Sequence, residues 1–257
     1  MVAGFRNTFC LTLNKIALLL NFGLRSPDSV NTLKHATFKT LKTVTNSSDI
    51  DPTFITLEQQ LREMGLVRIQ SLDASIRVDL RYGTTDNIVG RDLYQNFGEA
   101  YLQPEPAQML VSANALLKEK HANFTFYVYD ALRPRRVQQI LWDALDHPPE
   151  ERVKYIADPQ KGSLHNYGAA VDLTILNTTS NQLLDMATDF DHFGILAYPS
   201  EEEALLAKGE LTEKQVQNRL LLREVMTQVG FIISQSEWWH FGALTREEAA
   251  KRYSIVE

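Results

Sequence analysis

Ser163-Leu-His165-Asn-Tyr-Gly168-Ala-Ala170-Val-Asp172 holds the most structural information of any stretch in the chain. Ala169, Val171, Leu173 and Ile175 alternate with their neighbours, a strand pattern. Val171 and Leu173 turn to the core, so Asp172 points the other way with Ala170 and Thr174. A carboxylate in a largely apolar strand is costly unless it has a partner, and a metal ion is such a partner. Gly168 lets the backbone turn between His165 and the strand, so that the two side chains can converge.

Nearer the C-terminus, Ser236-Glu237-Trp238-Trp239-His240-Phe241 is the second informative piece. If extended, it puts Trp238 and His240 on one face and Glu237 and Trp239 on the other. Alone it reads as an aromatic core strand with a hydrogen-bonded histidine. Joined to the first stretch it reads differently. His165, Asp172 and His240 make a three-ligand set of nitrogen and oxygen donors, which leaves a fourth zinc position open for water. Glu237, close by and not a ligand, is the proton acceptor that a water-activating metal site needs.

The third piece is Tyr129-Asp130-Ala131-Leu132-Arg133-Pro134-Arg135-Arg136. Pro134 pushes Arg133 into an extended conformation at a strand end. From there its guanidinium can reach a cleft and hold a developing oxyanion. A plain helix start with surface arginines suits Arg135 and Arg136 better. Of the other histidines, His35 falls in a polar tether and His121 and His147 at helix ends. His192 follows Asp189-Phe-Asp191 without an evident partner.

The 257 residues are 44% hydrophobic and 23% charged, an ordinary globular composition with length enough for a sizeable core. Twenty-six basic against 32 acidic residues leave a net charge of −6, without the basic footprint of a nucleic-acid binder. One cysteine excludes an internal disulfide and a cysteine-rich zinc finger, so any metal site must be built from His, Asp and Glu. No stretch approaches the ~20 apolar residues of a membrane span. Residues 1–27 carry Arg6, Lys15 and Arg25, no acid, and a short apolar run from Ile16 to Leu20. That pattern suggests a signal peptide and an exported, periplasmic protein; the alternative is a cytoplasmic protein with an amphipathic leader. The expected division is a leader and tether over 1–54 and one folded domain over 55–257.

A polar helix from Leu57 to Met64 leads into Val67-Arg68-Ile69. Ala107, Leu110, Ala113 and Leu117 mark a helix ending near His121. Phe124, Phe126 and Val128 mark a strand. Pro134 opens a helix through Ile140 and Leu145 that Pro148-Pro149 should stop. Thr212-Glu-Lys-Gln215 is a capping box for a helix carrying Leu222, Val225, Met226 and Val229, closed by Gly230. Phe231-Ile232-Ile233 is a strand. Such mixed short elements point to α+β.

The first stretch resembles the SxHxxGxAxD motif of the D-alanyl-D-alanine metallopeptidases, and Glu237-Trp-Trp-His240 resembles their ExWH motif. The finer resemblance is to the D-Ala-D-Ala dipeptidase branch and extends from Val67 to about Leu244. Tyr82-Gly-Thr-Thr-Asp86-Asn87-Ile-Val-Gly90 is similar to its YxTxDNxxG segment. Asp130-Ala-Leu-Arg133-Pro134 is similar to its DxYRP, with Leu132 for the aromatic residue. Asp185-Met-Ala187-Thr-Asp-Phe-Asp191 is similar to its DMGTxFD, with Ala187 for the glycine. The resemblance implies a compact α+β domain shared with the Hedgehog signalling domain, with a central antiparallel sheet and flanking helices. It implies one Zn2+ per chain on His165, Asp172 and His240, Glu237 as general base and Arg133 steadying the tetrahedral intermediate. Ser163, Asp191 and Tyr82 would receive the amino end of a small dipeptide substrate. The rival expectations are a zinc D,D-carboxypeptidase acting on peptidoglycan stems and a non-catalytic zinc-binding module.

Overall fold

The computed structural model describes residues 56–153 and 155–257. The leader and the whole tether, with His35 and the single cysteine, lie outside the described residues. So do the export reading and the boundary at 54/55.

Thr56 caps α1 (Leu57–Glu63) by accepting from the Gln59 amide. A short pair, β1 (Val67–Arg68) with β3 (Tyr101–Leu102), brackets α2 (Ile69–Leu72) and β2 (Arg77–Val78). α3 (Pro104–Lys120) then leads into β4 (Phe124–Asp130), which is followed by α4 (Arg135–Ala144) and α5 (Pro149–Arg152). Next come β5 (Ala170–Asn177), β6 (Gln182–Leu183), α6 (Glu202–Ala207) and α7 (Glu213–Gln228). β7 (Ile232–Ile233), β8 (His240–Gly242) and α8 (Arg246–Arg252) complete the described chain.

The main sheet runs β2-β4-β5-β8-β7, with β6 paired to β5. Every pairing is antiparallel except β2 with β4. Phe126, Val128, Val171, Leu173 and Ile175 are fully buried on one face. There they meet the stripes of α3 (Ala107, Leu110, Ala113, Leu117) and α7 (Leu222, Val225, Met226). Fully burying each large apolar side chain is worth roughly 1.5–3 kcal/mol, so this face is what holds the layers together. The Thr212 box forms as expected, with Gln215 and Thr212 exchanging hydrogen bonds.

Two expectations need correction. Pro148 and Pro149 do not stop α4, which ends at Ala144; they open α5, a proline at the first turn being free of a hydrogen-bonding obligation. Ser236 to Trp239 is not extended either. The His240 amide reaches back to the Glu237 carbonyl, 3.4 Å away, so the segment turns at the two tryptophans. The strand alternation expected for Glu237 and His240 therefore fails, and a turn carries both toward one cleft.

Strand register assembles the polar centre of the sheet. Asp130 pairs with Asp172 across β4 and β5, and Asp172 pairs with His240 across β5 and β8. Three chemically unusual residues thus lie in one row across the sheet.

Candidate metal centre and cleft

His165 rides on a short 3-10 turn, Leu164–Tyr167, closed by Gly168 in the left-handed conformation (φ 67°). A side chain there would be strained by the positive φ and would have its Cβ 2.9 Å from the Leu66 side chain, which would have to shift, so glycine is favoured on both counts. The His165 Nδ1–H donates to the Ala131 carbonyl at 2.7 Å, which leaves Nε2 with its lone pair free. That Nε2 lies 3.3 Å from Asp172 Oδ1 and 3.1 Å from His240 Nδ1. His240 Nδ1 and Asp172 Oδ1 are 2.9 Å apart. A tetrahedral ion holding nitrogen and oxygen at 2.0–2.1 Å separates its ligands by about 3.3–3.4 Å. The three atoms already form a triangle close to that size, so the donors fit a metal.

Burial works to raise the Asp172 pKa, but His165 and His240 beside it outweigh burial and hold the carboxyl well below the usual carboxylate range. Asp172 therefore stays ionised, as a ligand must. Burial pushes Glu237 up, with His240 opposing and Asp172 reinforcing the shift. A carboxyl moved in that direction is better suited to accept a proton near neutrality.

Arg133 is almost wholly enclosed. Its Nε donates to Asp130 Oδ2 at 2.8 Å, its Nη2 makes an ion pair with the same oxygen at 2.7 Å, and its Nη1 donates to Gln138 at 3.0 Å. Nη2 also lies 3.4 Å from Asp172 Oδ2, and the guanidinium sits 4.6 Å from the Tyr82 ring centre. Asp130 is fully buried and takes a further hydrogen bond from Tyr94 at 2.5 Å. One Nη1 proton is left to point at a ligand.

Tyr82 and Asp191, far apart in sequence, meet: the phenol donates to Asp191 Oδ2 at 2.8 Å. Burial pushes the Asp191 carboxyl up to about 7, against the pull of Arg133 and the Tyr82 hydrogen bond. Phe190 stacks on Tyr129 (5.0 Å) and meets Tyr82 and Trp239 edge-on, an aromatic support behind the acid. Ser163 Oγ is buried, lines the cleft and has no hydrogen-bond partner among the described residues. All eight expected site residues therefore line one cleft of about 230 Å³. His192 lines it too, exposed to solvent. His121 stacks on Phe124 and His147 on Tyr155, both away from the metal ligands.

Sequence reasoning missed three supports. Asp130 and Gln138 hold Arg133; the signal was an acid three residues before an arginine, at a strand end. Arg219 is the third. Only 1% exposed, it donates to the Met186 carbonyl (2.8 and 2.5 Å) and to Leu196 (2.8 Å), and pairs with buried Glu202. It thereby pins both ends of the loop that carries Asp191. An arginine one turn before Leu222 on the same helical stripe was the clue. Trp238 adds a third anchor to that loop, donating to Thr188 Oγ1 at 2.8 Å.

A family model described as D-ala-D-ala dipeptidase matches residues 62–256. The chain is similar to the D-alanyl-D-alanine dipeptidase of Escherichia coli K12, 31% identical over 68% of this chain and 83% of that protein. It is 26% identical to the D-alanyl-D-alanine dipeptidase of Enterococcus faecium over 70% of this chain and 91% of that one. A solved structure described as VanYB in complex with D-Alanine-D-Alanine matches 69% of this chain and 82% of its own, with 14% identity and a TM-score of 0.36.

Proposed function

This chain belongs to the D-ala-D-ala dipeptidase family of metallopeptidases, and we propose accordingly that it hydrolyses D-alanyl-D-alanine to two D-alanines with one zinc ion. The observation that carries the reading is the triangle of His165 Nε2, Asp172 Oδ1 and His240 Nδ1 with Glu237 lining the same cleft. Two imidazoles and one carboxylate, without thiolate, suit a catalytic zinc with an open position.

When bound, zinc supplies Lewis acidity, polarising a carbonyl oxygen and acidifying water. Glu237 takes the proton of the attacking water and returns it to the leaving amine. The free Nη1 proton of Arg133 stabilises the oxyanion of the tetrahedral intermediate, and Asp130 keeps the guanidinium from swinging away. Asp191 receives the substrate ammonium, held in aim by Tyr82. Ser163 offers a hydroxyl that has no other use. The aromatic support behind Asp191 fixes an acid in the cleft that a free ammonium can engage and a stem peptide's amide cannot match, which favours the dipeptidase reading over a carboxypeptidase.

The test is release of free D-alanine from D-Ala-D-Ala by zinc-loaded protein, beside a peptidoglycan-type pentapeptide. Wild type should cleave the dipeptide and spare the pentapeptide. Glu237→Gln should keep its zinc and lose at least ~10²-fold in turnover. Cleavage of the pentapeptide alone would transfer the assignment to a carboxypeptidase.

A further inference from the structure

The dipeptide of the proposed reaction is a zwitterion, and the roles of Glu237, Arg133, Asp191 and Ser163 leave its carboxylate without a cation. We propose that Arg246 is that cation, a specificity-determining residue that reads the free C-terminal carboxylate of the substrate; this rests on the dipeptidase reading.

Arg133 and Arg246 are the two arginines lining the cleft. Arg133 is committed to Asp130, Gln138 and Asp172, which take most of its five N–H groups. Its remaining Nη1 proton is the one assigned to the oxyanion, with which a second anion would compete. Arg246 is different. Its neighbours on α8 are paired, Lys251 with Glu247 and Arg252 with Glu105, whereas Arg246 has no carboxylate partner among the described residues. Glu247 and Glu248, one and two positions on, do not face it along the helix, and the positions that do are Ala249 and Ala250, so no acid of α8 competes for its guanidinium.

Its placement agrees. Asp191 and Ile88 form a wall that also borders a second hollow lined by Arg81, Tyr129 and Phe190; Arg246 and Ser163 do not border it. The ammonium receiver thus adjoins the second hollow and the free guanidinium does not, so the two groups line separate parts of the cleft. α8 packs its Ala249 and Tyr253 on Tyr167, Ala169 and Leu164, on the turn that carries His165. The helix that carries Arg246 is thus fixed against the turn of His165, and Arg246 lines the same cleft as the metal ligands. A two-residue ligand spans about 7 Å end to end, so its two charges can engage two separate groups of one cleft while the amide lies between them. A guanidinium offers the planar fork that a carboxylate matches and an ammonium cannot supply.

The experiment compares D-Ala-D-Ala with its neutral C-terminal amide, in wild type, Arg246→Gln and Arg246→Lys, each zinc-loaded. The expected result is a loss of about tenfold or more in kcat/KM for the free acid in Arg246→Gln, carried mainly by KM. The amide should lose far less, so that the acid-over-amide preference collapses, and Arg246→Lys should recover part of it. Raising salt should shrink the wild-type preference, because the site is exposed. Equal losses on both substrates, or none on either, would overturn the proposal. A parallel titration measures binding of D-Ala-D-Ala to Glu237→Gln and to Glu237→Gln/Arg246→Gln by calorimetry. Weaker binding of the acid in the double variant upholds Arg246 even if wild type proves not to hydrolyse the dipeptide, which would remove only the activity. Indistinguishable binding in the two sinks Arg246 whatever the activity.

Discussion

Asp172 and His240 face each other across the β5–β8 ladder, with Oδ1 and Nδ1 2.9 Å apart. Cross-strand register, rather than a loop, sets this distance, so the site is stiff before any ion arrives. Without an ion, the buried carboxylate depends on the histidines for compensation. An ion that binds only the folded state stabilises it, by about 4 kcal/mol at a thousandfold excess over Kd. Chelation is therefore expected to abolish activity and lower Tm, and zinc to restore both. Asp172→Asn should bind zinc at least tenfold more weakly and show a smaller Tm response. Undiminished activity in metal-free protein would remove the metal from the mechanism.

How much of the fold and site was legible in the sequence depends on the range of each interaction. The β5 alternation was readable because strand periodicity is local, and Gly168 because only a left-handed turn explains it. The α3 and α7 stripes were readable for the same reason. The Glu237 turn was not, since Trp238-Trp239 carries no glycine, proline or asparagine to announce one. The pairing of Tyr82 with Asp191 came only through resemblance, because no spacing rule connects residues so far apart. The clamp of Asp130 on Arg133 depends on rotamers at a strand end, which a sequence does not specify.

Arg133→Lys tests that clamp. Lysine keeps the charge but not the fork, so it cannot hold Asp130 and Gln138 and still present a proton to the cleft. Breaking a buried pair costs about 3–5 kcal/mol when a charge is left uncompensated. The retained ammonium offsets part of that, so Tm should fall by several degrees, at roughly 2–4 °C per kcal/mol for a domain of this size. Turnover should fall by more than KM rises, because the oxyanion interaction strengthens in the transition state. A pure KM effect would reassign Arg133 to ground-state binding.

Ala187 stands in the left-handed region at φ 72°, where the similar family segment has glycine. An Asp185 side chain accepts from its amide at 2.8 Å, and Arg219 grips the carbonyl just before it, so the loop enforces a conformation alanine disfavours. Ala187→Gly should raise stability by about 0.5–1 kcal/mol, read as a Tm gain of a few degrees. Its kcat should stay close to wild type, since neither the Asp191 nor the Trp238 contact is touched. A lower Tm would mean that the loop relies on the alanine methyl for packing.

Asp191 gives the sharpest pH dependence. Its carboxyl is pushed up to about 7 from an ordinary 3.8, chiefly by burial. Between those values the folded protein holds a proton that the unfolded chain has lost, so stability declines as pH rises. The penalty is absent below about pH 4 and complete above about pH 7. Asp191→Asn removes the titration while keeping a partner for Tyr82. In zinc-free protein it should therefore melt several degrees above wild type at about pH 8 and level with it near pH 4. Activity should move the other way. The ionised acid is what an ammonium rewards, so wild type should prefer D-Ala-D-Ala strongly over its N-acetylated form, by up to about 10⁴-fold. Asp191→Asn should lose most of that preference through the free-amine substrate. A gain in stability together with a lost preference would identify Asp191 as a charge kept buried, at a cost in stability, for the sake of the substrate. If the N-acetylated dipeptide is cleaved as fast as the free one by wild type, Asp191 is not the ammonium receiver.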